Sequence, residues 1–344
     1  MDRSFDGFLK ERKEDSMTDI ILYIGIIVVS GIIGSRIRGY RDRLGWTGKI
    51  QTLAIVLLVV LMGARMGSNE EIIDNLGTIG LAAFVMTAAM MIGSLICLFF
   101  ARKALGFTRD AQIAVLHCEE LEEEAMEEEA AAEKQGINKM TLIILCSVIV
   151  GMALGYLVAR PVFGENIEVF DSAASLGIKI GLCILMVFVG LDLGLEGTVL
   201  TMMKEAGLRI LVFPLACIAG TLLGAALCGL LFKLSLPESL AIGAGFGWYS
   251  LAPGIIMEAG YLTASAISFL HNVMREIFSI LLLPLIAEKV GYIEAACIPG
   301  APAMDVCLPI VNRATQGKAV TYGFVTGVTM SFLVPIMVPI MISL

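Results

Sequence analysis

The sequence lacks the residue clusters from which metal sites and hydrolytic active sites are built. It has only two histidines, and its eight cysteines are scattered, with no Cys-x-x-Cys pair and no Cys/His spacing suited to a metal. HExxH and GxGD motifs are absent, and no basic patch indicates binding of nucleic acid. We therefore expect no metal, no cofactor and no catalytic site. The cysteines are interpreted as small apolar packing residues.

Charge is also scarce, and apolar residues take its place. Charged residues make up 16% of the chain and hydrophobic residues 58%, with a mean hydropathy of +0.87, far above that of an ordinary globular domain. A membrane crossing needs about 20 predominantly apolar residues. The pattern predicts an all-α polytopic membrane protein with about eight transmembrane helices, at Asp19–Arg36, Ile50–Ser68, Gly77–Ala101, Met140–Pro161, Ser172–Gly194, Gly207–Phe232, Ser265–Glu288 and Ala319–Ile342.

Two further apolar segments are too short and irregular to be ordinary spans. Gly243–Glu258 and Cys297–Asn312 are interrupted by glycine and proline. A membrane tolerates irregular backbone only where it is buried in protein or faces water, so we expect two re-entrant or broken helices. The sequence leaves open whether each segment re-enters or crosses the membrane.

A glycine pattern recurs in the two halves of the chain. The second span ends with Gly63 and Gly67 and the fifth with Gly190 and Gly194, and each pair is followed by charged residues and a new span. The two copies have opposite directions in the predicted topology, which indicates an inverted-repeat transporter architecture. The alternative is that the glycines only mark close helix packing. The expected division is a charged tail (1–16), a first membrane repeat of three helices (17–106), a Glu-rich linker (107–139), a second, inverted repeat (140–233) and a transport core of broken helices (234–344).

Basic residues in the short loops predict the orientation of the spans. The first loop carries five basic residues against the single Asp42, and the loops after the third and fifth spans are also basic, so these loops should be cytoplasmic and both termini outside. The run Glu119–Lys134, with nine glutamates and one lysine, should lie on the cytoplasmic side. It is either a solvated linker or an acidic antenna for a cationic substrate.

Glu276 is the most informative residue of the chain, because it lies near the middle of the apolar stretch Leu262–Leu285. An ionised side chain at the bilayer centre costs between about 2.5 and about 10 kcal/mol depending on the method, so such residues usually line an aqueous cavity or a substrate path. Arg275 is a poor partner for Glu276, since adjacent helical residues do not face each other. We expect a transport role for Glu276; the alternative is a salt bridge kept for packing.

Several other polar groups accompany Glu276. Asp305 lies among apolar residues, either as a second buried carboxylate or as a helix N-cap. The segment GAGFGWYSLAP offers a backbone that a ligand can approach closely and aromatic faces for a cation. Four polar residues in the span between the broken segments share one helical stripe, at spacings of four, three and four: Ser268, Asn272, Arg275 and Ser279. Asp192, beside the second glycine pair, is a further candidate acid.

Three motifs, in this order, resemble the bacterial lysine exporter family of the LysO type. They are GFGWYSL from Gly245, the Asn-x-x-Arg-Glu pattern that runs from Asn272 to Pro284, and the Ala-Met-Asp pattern from Ala303 to Pro309. The resemblance extends from about Met17 to the C-terminus. It implies inverted repeats, broken helices and a distant likeness to the cation:proton antiporter and bile acid transporter superfamily.

The resemblance also implies a function. The family exports L-lysine and its toxic analogues across the bacterial inner (cytoplasmic) membrane, and its functional intramembrane glutamate corresponds to Glu276. An acidic partner in the first half is harder to place, because Arg65 stands inside the first glycine motif and the nearest acids are Glu70, Glu71 and Asp74. The expected partners are L-lysine or a similar cationic amino acid, protons and the lipid bilayer, and a homodimer is a candidate assembly.

Exchange of one proton for one lysine would make export electroneutral. The alternatives are a monovalent cation:proton antiporter and an exporter of another cationic amino acid. The candidate substrate- and proton-binding residues are Glu276, Asp305, Trp248, Tyr249, Ser250, Gly247, Asn272, Arg275, Asp192, Asp74 and Met304.

Overall fold

A computed structural model of the protein describes residues 22–23, 25–39, 47–111, 139–196 and 208–344, and all regular elements in these ranges are helices. Seven of them are long and apolar enough to cross a membrane: Thr47–Ser68, Leu76–Ala104, Leu142–Phe163, Ile167–Asp192, Arg209–Phe232, Leu262–Lys289 and Val320–Ile342. They coincide with seven of the eight expected spans. The first expected span is described from Gly25 to Arg36 as a shorter apolar helix. The charged tail and the Glu-rich run lie outside the described residues.

We number the helices in chain order. They are α1 (Gly25–Arg36), α2 (Thr47–Ser68), α3 (Glu70–Asp74), α4 (Leu76–Ala104), α5 (Lys139–Leu154), α6 (Arg160–Phe163), α7 (Ile167–Glu196), α8 (Val212–Gly229), α9 (Leu236–Gly243), α10 (Ala252–Glu258), α11 (Leu262–Lys289), α12 (Tyr292–Cys297), α13 (Leu308–Thr315) and α14 (Val320–Ile342). A π-helical segment, Gly155–Ala159, joins α5 to α6. The side where α2 ends and α4 begins is called the Ser68 face, and the side where α4 ends is called the Ala104 face.

Glycines set the closest helix crossings. Gly93 of α4 meets Gly220 of α8 backbone to backbone, and further along Gly224 meets Met90, so these two helices pack antiparallel. Because glycine has no side chain, two helix backbones can approach closely at such a crossing, which increases the van der Waals packing between membrane helices. The α8 helix therefore runs from the Ala104 face to the Ser68 face.

The two recurrent glycine pairs also lie at crossings. On α2, Gly63 and Gly67 pack against the stretch of α5 from Val148 to Met152. On α7, Gly190 and Gly194 pack against the stretch of α1 from Ile27 to Ser35. In both crossings the two helices are parallel. The start of α7 lies beside the end of α2, where Asp171 binds Arg65, so the two helices that carry the pairs have opposite directions. The glycines thus mark close packing, and they do so on helices of inverted orientation.

The first broken segment is a hairpin that starts at the Ser68 face. Its first arm, α9, begins with a capping box between Ser235 and Glu238 and packs antiparallel to α8, with Gly243 beside Ala225. Its second arm, α10, returns to the Ser68 face, where Glu258 binds the end of α2. The hairpin spans α9 and α10, so it begins earlier than the expected segment, which held only the turn and the second arm.

The second broken segment is a hairpin that starts at the opposite face. Its first arm, α12, begins at the Ala104 face, where Glu294 accepts a 2.6 Å hydrogen bond from Arg102, and ends in the middle at Cys297. Its second arm, α13, returns to the Ala104 face, and just beyond it Lys318 Nζ lies 5.9 Å from the centre of the Tyr292 ring. The two hairpins therefore enter from opposite faces.

The tips of the two hairpins touch in the middle of the protein. Ala301 N donates a 2.9 Å hydrogen bond to Phe246 O. Gly247 has a φ of 98°, and a Cβ there would come within 2.8 Å of Pro302 Cδ. This close approach and the positive φ both require glycine at position 247.

The helices form two packed groups. One contains α1, α2, α5 and α7, and the other contains α4, α8, α11, α14 and the two hairpins. Contacts between the groups include those of α10 with α7 and with α2. We call the first set of helices the outer group and the second set the hairpin group.

The α4–α8 crossing yields a test of packing. A Cβ at Gly93 would overlap the carbonyl oxygen of Gly220, whereas nothing lies within 4 Å of a Cβ at Gly80 of the same helix. Gly93→Ala should destabilise the protein by about 1–3 kcal/mol through overpacking. Thermal unfolding in detergent would measure the loss, with Gly80→Ala as the control. Equal melting temperatures for the two variants would contradict this account of the crossing.

Candidate functional site

A cavity of about 260 Å³ lies between the outer group and the hairpin group. It is somewhat smaller than the roughly 300–1,000 Å³ typical of small-molecule pockets. The described residues that line it are Gln51, Thr52, Ile55, Val189, Asp192, Gly247, Trp248, Tyr249, Ser250, Glu276, Ala301, Pro302, Met304, Asp305, Val306 and Ser331. Because α2 begins and α7 ends at the Ala104 face, Gln51 and Asp192 place the cavity in the half of the protein nearer that face.

Three carboxylates from three elements meet in this cavity. Glu276 comes from the middle of α11, Asp192 from the last turns of α7, and Asp305 from the tip of the second hairpin. Glu276 is 1% exposed, whereas Asp305 is exposed to solvent. None of the described lining residues is Lys, Arg or His. The cavity is therefore a negatively charged environment, which favours a cationic ligand.

The tip of the first hairpin supplies the aromatic and hydroxyl groups of the cavity. Gly247, Trp248, Tyr249 and Ser250 line it, as the sequence suggested. Trp248 Nε1 donates a 3.1 Å hydrogen bond to Ser250 Oγ, which orients the indole. The ring faces of Trp and Tyr attract cations. Together with the carboxylates, they could surround an ammonium group.

Asn272 lies outside the cavity and supports the tip that lines it. Its Oδ1 accepts a 2.7 Å hydrogen bond from Gly247 N, and its Nδ2 donates a 2.8 Å hydrogen bond to Ser268 O. The side chain is fully buried. Asn272 thus accepts a hydrogen bond from a backbone N–H that has no acceptor within the broken helix.

Arg275 also lies outside the cavity and supports the second hairpin. Its guanidinium donates to Ile298 O, at the end of α12, from Nε at 3.3 Å and Nη2 at 3.2 Å, and to Thr221 Oγ1 at 3.1 Å. A cation at this place satisfies a carbonyl that the helix end leaves free, and it complements the helix dipole. Within the described part of the chain, no carboxylate forms a salt bridge with Arg275. Arg275 therefore contacts these oxygens and does not form a salt bridge with Glu276.

Asp74 lies away from the cavity, and Asp305 lines the cavity but does not cap a helix. Asp74 ends the short helix α3 on the Ser68 face and is exposed, while the cavity lies toward the other face, so Asp74 does not join the other acids. Asp305 is not the N-cap of α13, because that position is held by Cys307, and its Oδ1 accepts a 2.6 Å hydrogen bond from Val306 N instead. Met304 lies beside Asp305 in the lining, as expected.

Some lining residues did not stand out in the sequence. Gln51 and Thr52 come from the start of α2, and Ser331 comes from the middle of α14. The only sequence signal for the first two is a polar pair near the start of an otherwise apolar span. Such pairs are common at span ends, so only the packing of α2 against the hairpins distinguishes this one.

Comparisons with known proteins agree with the sequence motifs. A profile of the family described as "Lysine exporter LysO" matches residues 129–342. A "Putative lysine exporter" of Haemophilus influenzae is 31% identical over 193 residues, which cover 53% of this chain and 90% of that protein. The "Lysine exporter LysO" of Escherichia coli is 28% identical over 159 residues, 46% of this chain, and the match spans about half (52%) of that relative. No solved structure matches the chain.

The bond between Asn272 and the hairpin tip can be tested by substitution. Asn272→Leu keeps the branched shape of the side chain but has no acceptor for Gly247 N, and the loss of this hydrogen bond should cost about 1–3 kcal/mol of stability. Asn166→Leu is the control, because Asn166 is exposed and such changes usually stay within about 0.5 kcal/mol. Thermal unfolding of the purified protein would compare the two. An unchanged melting temperature for Asn272→Leu would refute the supporting role.

Proposed function

Because the chain belongs to the lysine exporter LysO family, we propose that it exports L-lysine across the inner membrane of a bacterium in exchange for protons. The observation that carries the proposal is the cavity itself. It holds Asp192, Glu276 and Asp305, and none of its described lining residues is basic. A lysine with two ammonium groups suits such a site, since each ammonium can bind a carboxylate.

Export against the membrane potential needs an energy source. Lysine carries a net charge of +1, and the inside-negative potential opposes its exit by about 2.3 kcal/mol per 100 mV. A proton that enters for each lysine that leaves makes the exchange electroneutral and removes this term. Exchange at one site requires that proton and ammonium compete for the same group.

Glu276 and Asp305 are the groups that we assign to this competition. When ionised, they bind the ammonium groups of lysine; when protonated, they release them. Glu276 suits the role because it is buried in the middle of α11 yet faces the cavity, whereas Asp305 is open to solvent. Asp192 adds a third carboxylate from the outer group, so that both groups of helices would contact the substrate.

The distribution of charge supports an orientation with the Ala104 face toward the cytoplasm. Basic residues collect at that face, among them Lys49, Arg102, Lys103, Lys289 and Lys318, and acids collect at the Ser68 face, among them Glu70, Asp74, Glu168, Asp171 and Glu258. Basic residues near the ends of spans are retained on the cytoplasmic side. In this orientation the cavity lies on the side from which lysine would enter.

Efflux of labelled L-lysine from loaded proteoliposomes tests the proposal. With a proton gradient directed inward, the wild type should release lysine faster than without the gradient. Glu276→Gln removes the charge at nearly constant volume and should reduce the gradient-driven rate at least tenfold. The control is Glu288→Gln, because Glu288 lies on the same helix but is exposed outside the cavity.

The same vesicles discriminate between the candidate substrates. If the wild type moves Na⁺ and no lysine, the protein is a monovalent cation:proton antiporter. If it moves arginine or ornithine in preference to lysine, the site is that of another cationic amino acid exporter. If Glu276→Gln exports lysine at the wild-type rate, the carboxylate does not carry the exchange.

A further inference from the structure

The cavity must also accommodate the negative end of its substrate. This inference rests on the proposed function, since lysine brings an α-carboxylate into a site that already holds Asp192, Glu276 and Asp305. The carboxylate needs hydrogen-bond donors, because an anion buried without partners is costly. No described lining residue is cationic, so the donors must be neutral.

The described lining has six neutral side chains that can donate; three of them have acceptors, and the other three are Gln51, Tyr249 and Ser250. Thr52 Oγ1 donates to Gly48 O at 2.8 Å, Trp248 Nε1 donates to Ser250 Oγ at 3.1 Å, and Ser331 Oγ donates to Met304 Sδ at 3.7 Å. The amide of Gln51, by contrast, donates to no residue in the described ranges. It is half-buried at the cavity wall and has two N–H groups to offer.

Gln51 comes from a different element than the acids and than the hydroxyls of the hairpin tip. It comes from α2, whereas the acids come from α7, α11 and the second hairpin. It lies in the second turn of α2. The α2 wall therefore offers an uncommitted donor and contributes no carboxylate to the described lining.

We propose that Gln51 is a specificity-determining residue that binds the α-carboxylate of the substrate. Its amide lets the site distinguish an amino acid with a cationic side chain from a simple diamine. Both carry two ammonium groups, and only the amino acid has the carboxylate. Cadaverine, the five-carbon diamine equal to lysine without its carboxylate, is the matched probe.

Competition in proteoliposomes tests this role. Unlabelled lysine or cadaverine competes with labelled L-lysine for transport, and the ratio of their half-inhibiting concentrations reports the preference. The wild type should prefer lysine. Gln51→Leu should lose at least tenfold of that preference through weaker lysine binding, with cadaverine binding little changed. Gln51→Glu, nearly identical in shape, should shift the preference toward cadaverine because it repels the carboxylate.

The outcomes separate this inference from the proposed function. If the wild type transports no lysine, the proposed function fails. If the wild type prefers lysine and both variants keep that preference, Gln51 does not bind the carboxylate. The inference then fails while the proposed function stands. Melting temperatures of the variants within a few degrees of the wild type would show that the change lies in binding.

A second, independent observation concerns the Ser68 face. Arg65 at the end of α2 binds Asp171 through Nε at 2.7 Å and Nη2 at 3.0 Å, and Glu258 through Nη1 at 3.1 Å. Glu258 also accepts a 2.7 Å hydrogen bond from Ser175 Oγ. The side chains of Arg65 and Glu258 are 10% and 9% exposed.

This network joins the two groups of helices on the side away from the cavity. Arg65, Asp171 and Ser175 belong to the outer group, and Glu258 ends the first hairpin. Arg65 binds the 42% exposed Asp171 of the outer group through two nitrogens and the largely buried Glu258 of the hairpin through one. Loss of one partner of the largely buried Arg65–Glu258 pair leaves the other uncompensated. The bonds therefore hold the hairpin against α2 and α7 at the Ser68 face.

We infer that the Arg65–Glu258 contact is a gate that closes the path from the cavity to the Ser68 face. It must break for the bound molecule to leave on that side. Its strength then sets how often the site opens there, independently of which cation the site binds.

Accessibility of a cavity residue from the Ser68 side tests the gate. Ser250→Cys, in a chain with its native cysteines replaced, would be modified by a membrane-impermeant thiol reagent added to that side of oriented vesicles. Glu258→Gln should raise the modification rate at least threefold, and Arg65→Lys, which keeps the charge but loses the guanidinium that binds Asp171 and Glu258 together, should give a smaller increase. Glu238→Gln, on the same hairpin and face but outside the network, is the control. Equal rates in all variants would overturn the gate.

Discussion

The structure depends on satisfying broken backbone in the middle of an apolar protein. Each hairpin interrupts its helix far from either face, where a free N–H or C=O would find no water. One face of α11 provides the missing partners: Asn272 accepts from Gly247 N at the first tip, and Arg275 donates to Ile298 O at the second. A direct bond from Ala301 N to Phe246 O joins the tips. One continuous helix thus positions both interruptions.

The same constraint explains how two opposite charges can be neighbours without pairing. Successive residues of a helix are rotated by about 100°. Arg275 therefore points toward α8 and the second hairpin, while Glu276 points into the cavity. The cation satisfies carbonyl and hydroxyl oxygens, and the neighbouring carboxylate lines the cavity. The proposed exchange of proton for ammonium at Glu276 would leave the contacts of Arg275 with the second hairpin in place.

The two faces of the protein are arranged differently around this centre. Toward the Ala104 face, the helix groups part to form the acidic cavity between α2, α7 and the tips. Toward the Ser68 face, the same groups are joined by Arg65, Asp171 and Glu258. A cavity on one side and an ionic closure on the other is the arrangement that a carrier needs if it is to expose one site to each side in turn. The two hairpins enter from opposite faces, so each face has one hairpin whose tip reaches the middle of the protein.

Particular residues show how far sequence reasoning reached. Glu276 and Asp305 could be singled out because a carboxylate among apolar residues is costly, Asp192 because it lies beside the second glycine pair, and the GFGWYS segment because of its glycines and aromatic rings. The three acids and the last four residues of that segment line the cavity. Asn272 and Arg275 were placed on the correct stripe, but their contacts, with hairpin backbone rather than with the cavity, depend on neighbours far away in the chain. Asp74 was included for its proximity in sequence to the first glycine motif, which says nothing about which face a short helix joins. Gln51 gave only the weak signal of a polar residue near the end of a span.

The sequence by itself determined the helical membrane class, seven of the spans, the irregularity of two segments and the buried acid, because hydropathy, proline, glycine and isolated charge act locally and are readable along one chain. Only the tertiary structure decided that both broken segments are hairpins from opposite faces, that Arg275 serves the second tip rather than Glu276, and that α2 completes the cavity. Those features depend on which helices pack together, and the residues of one span are compatible with many different neighbouring helices.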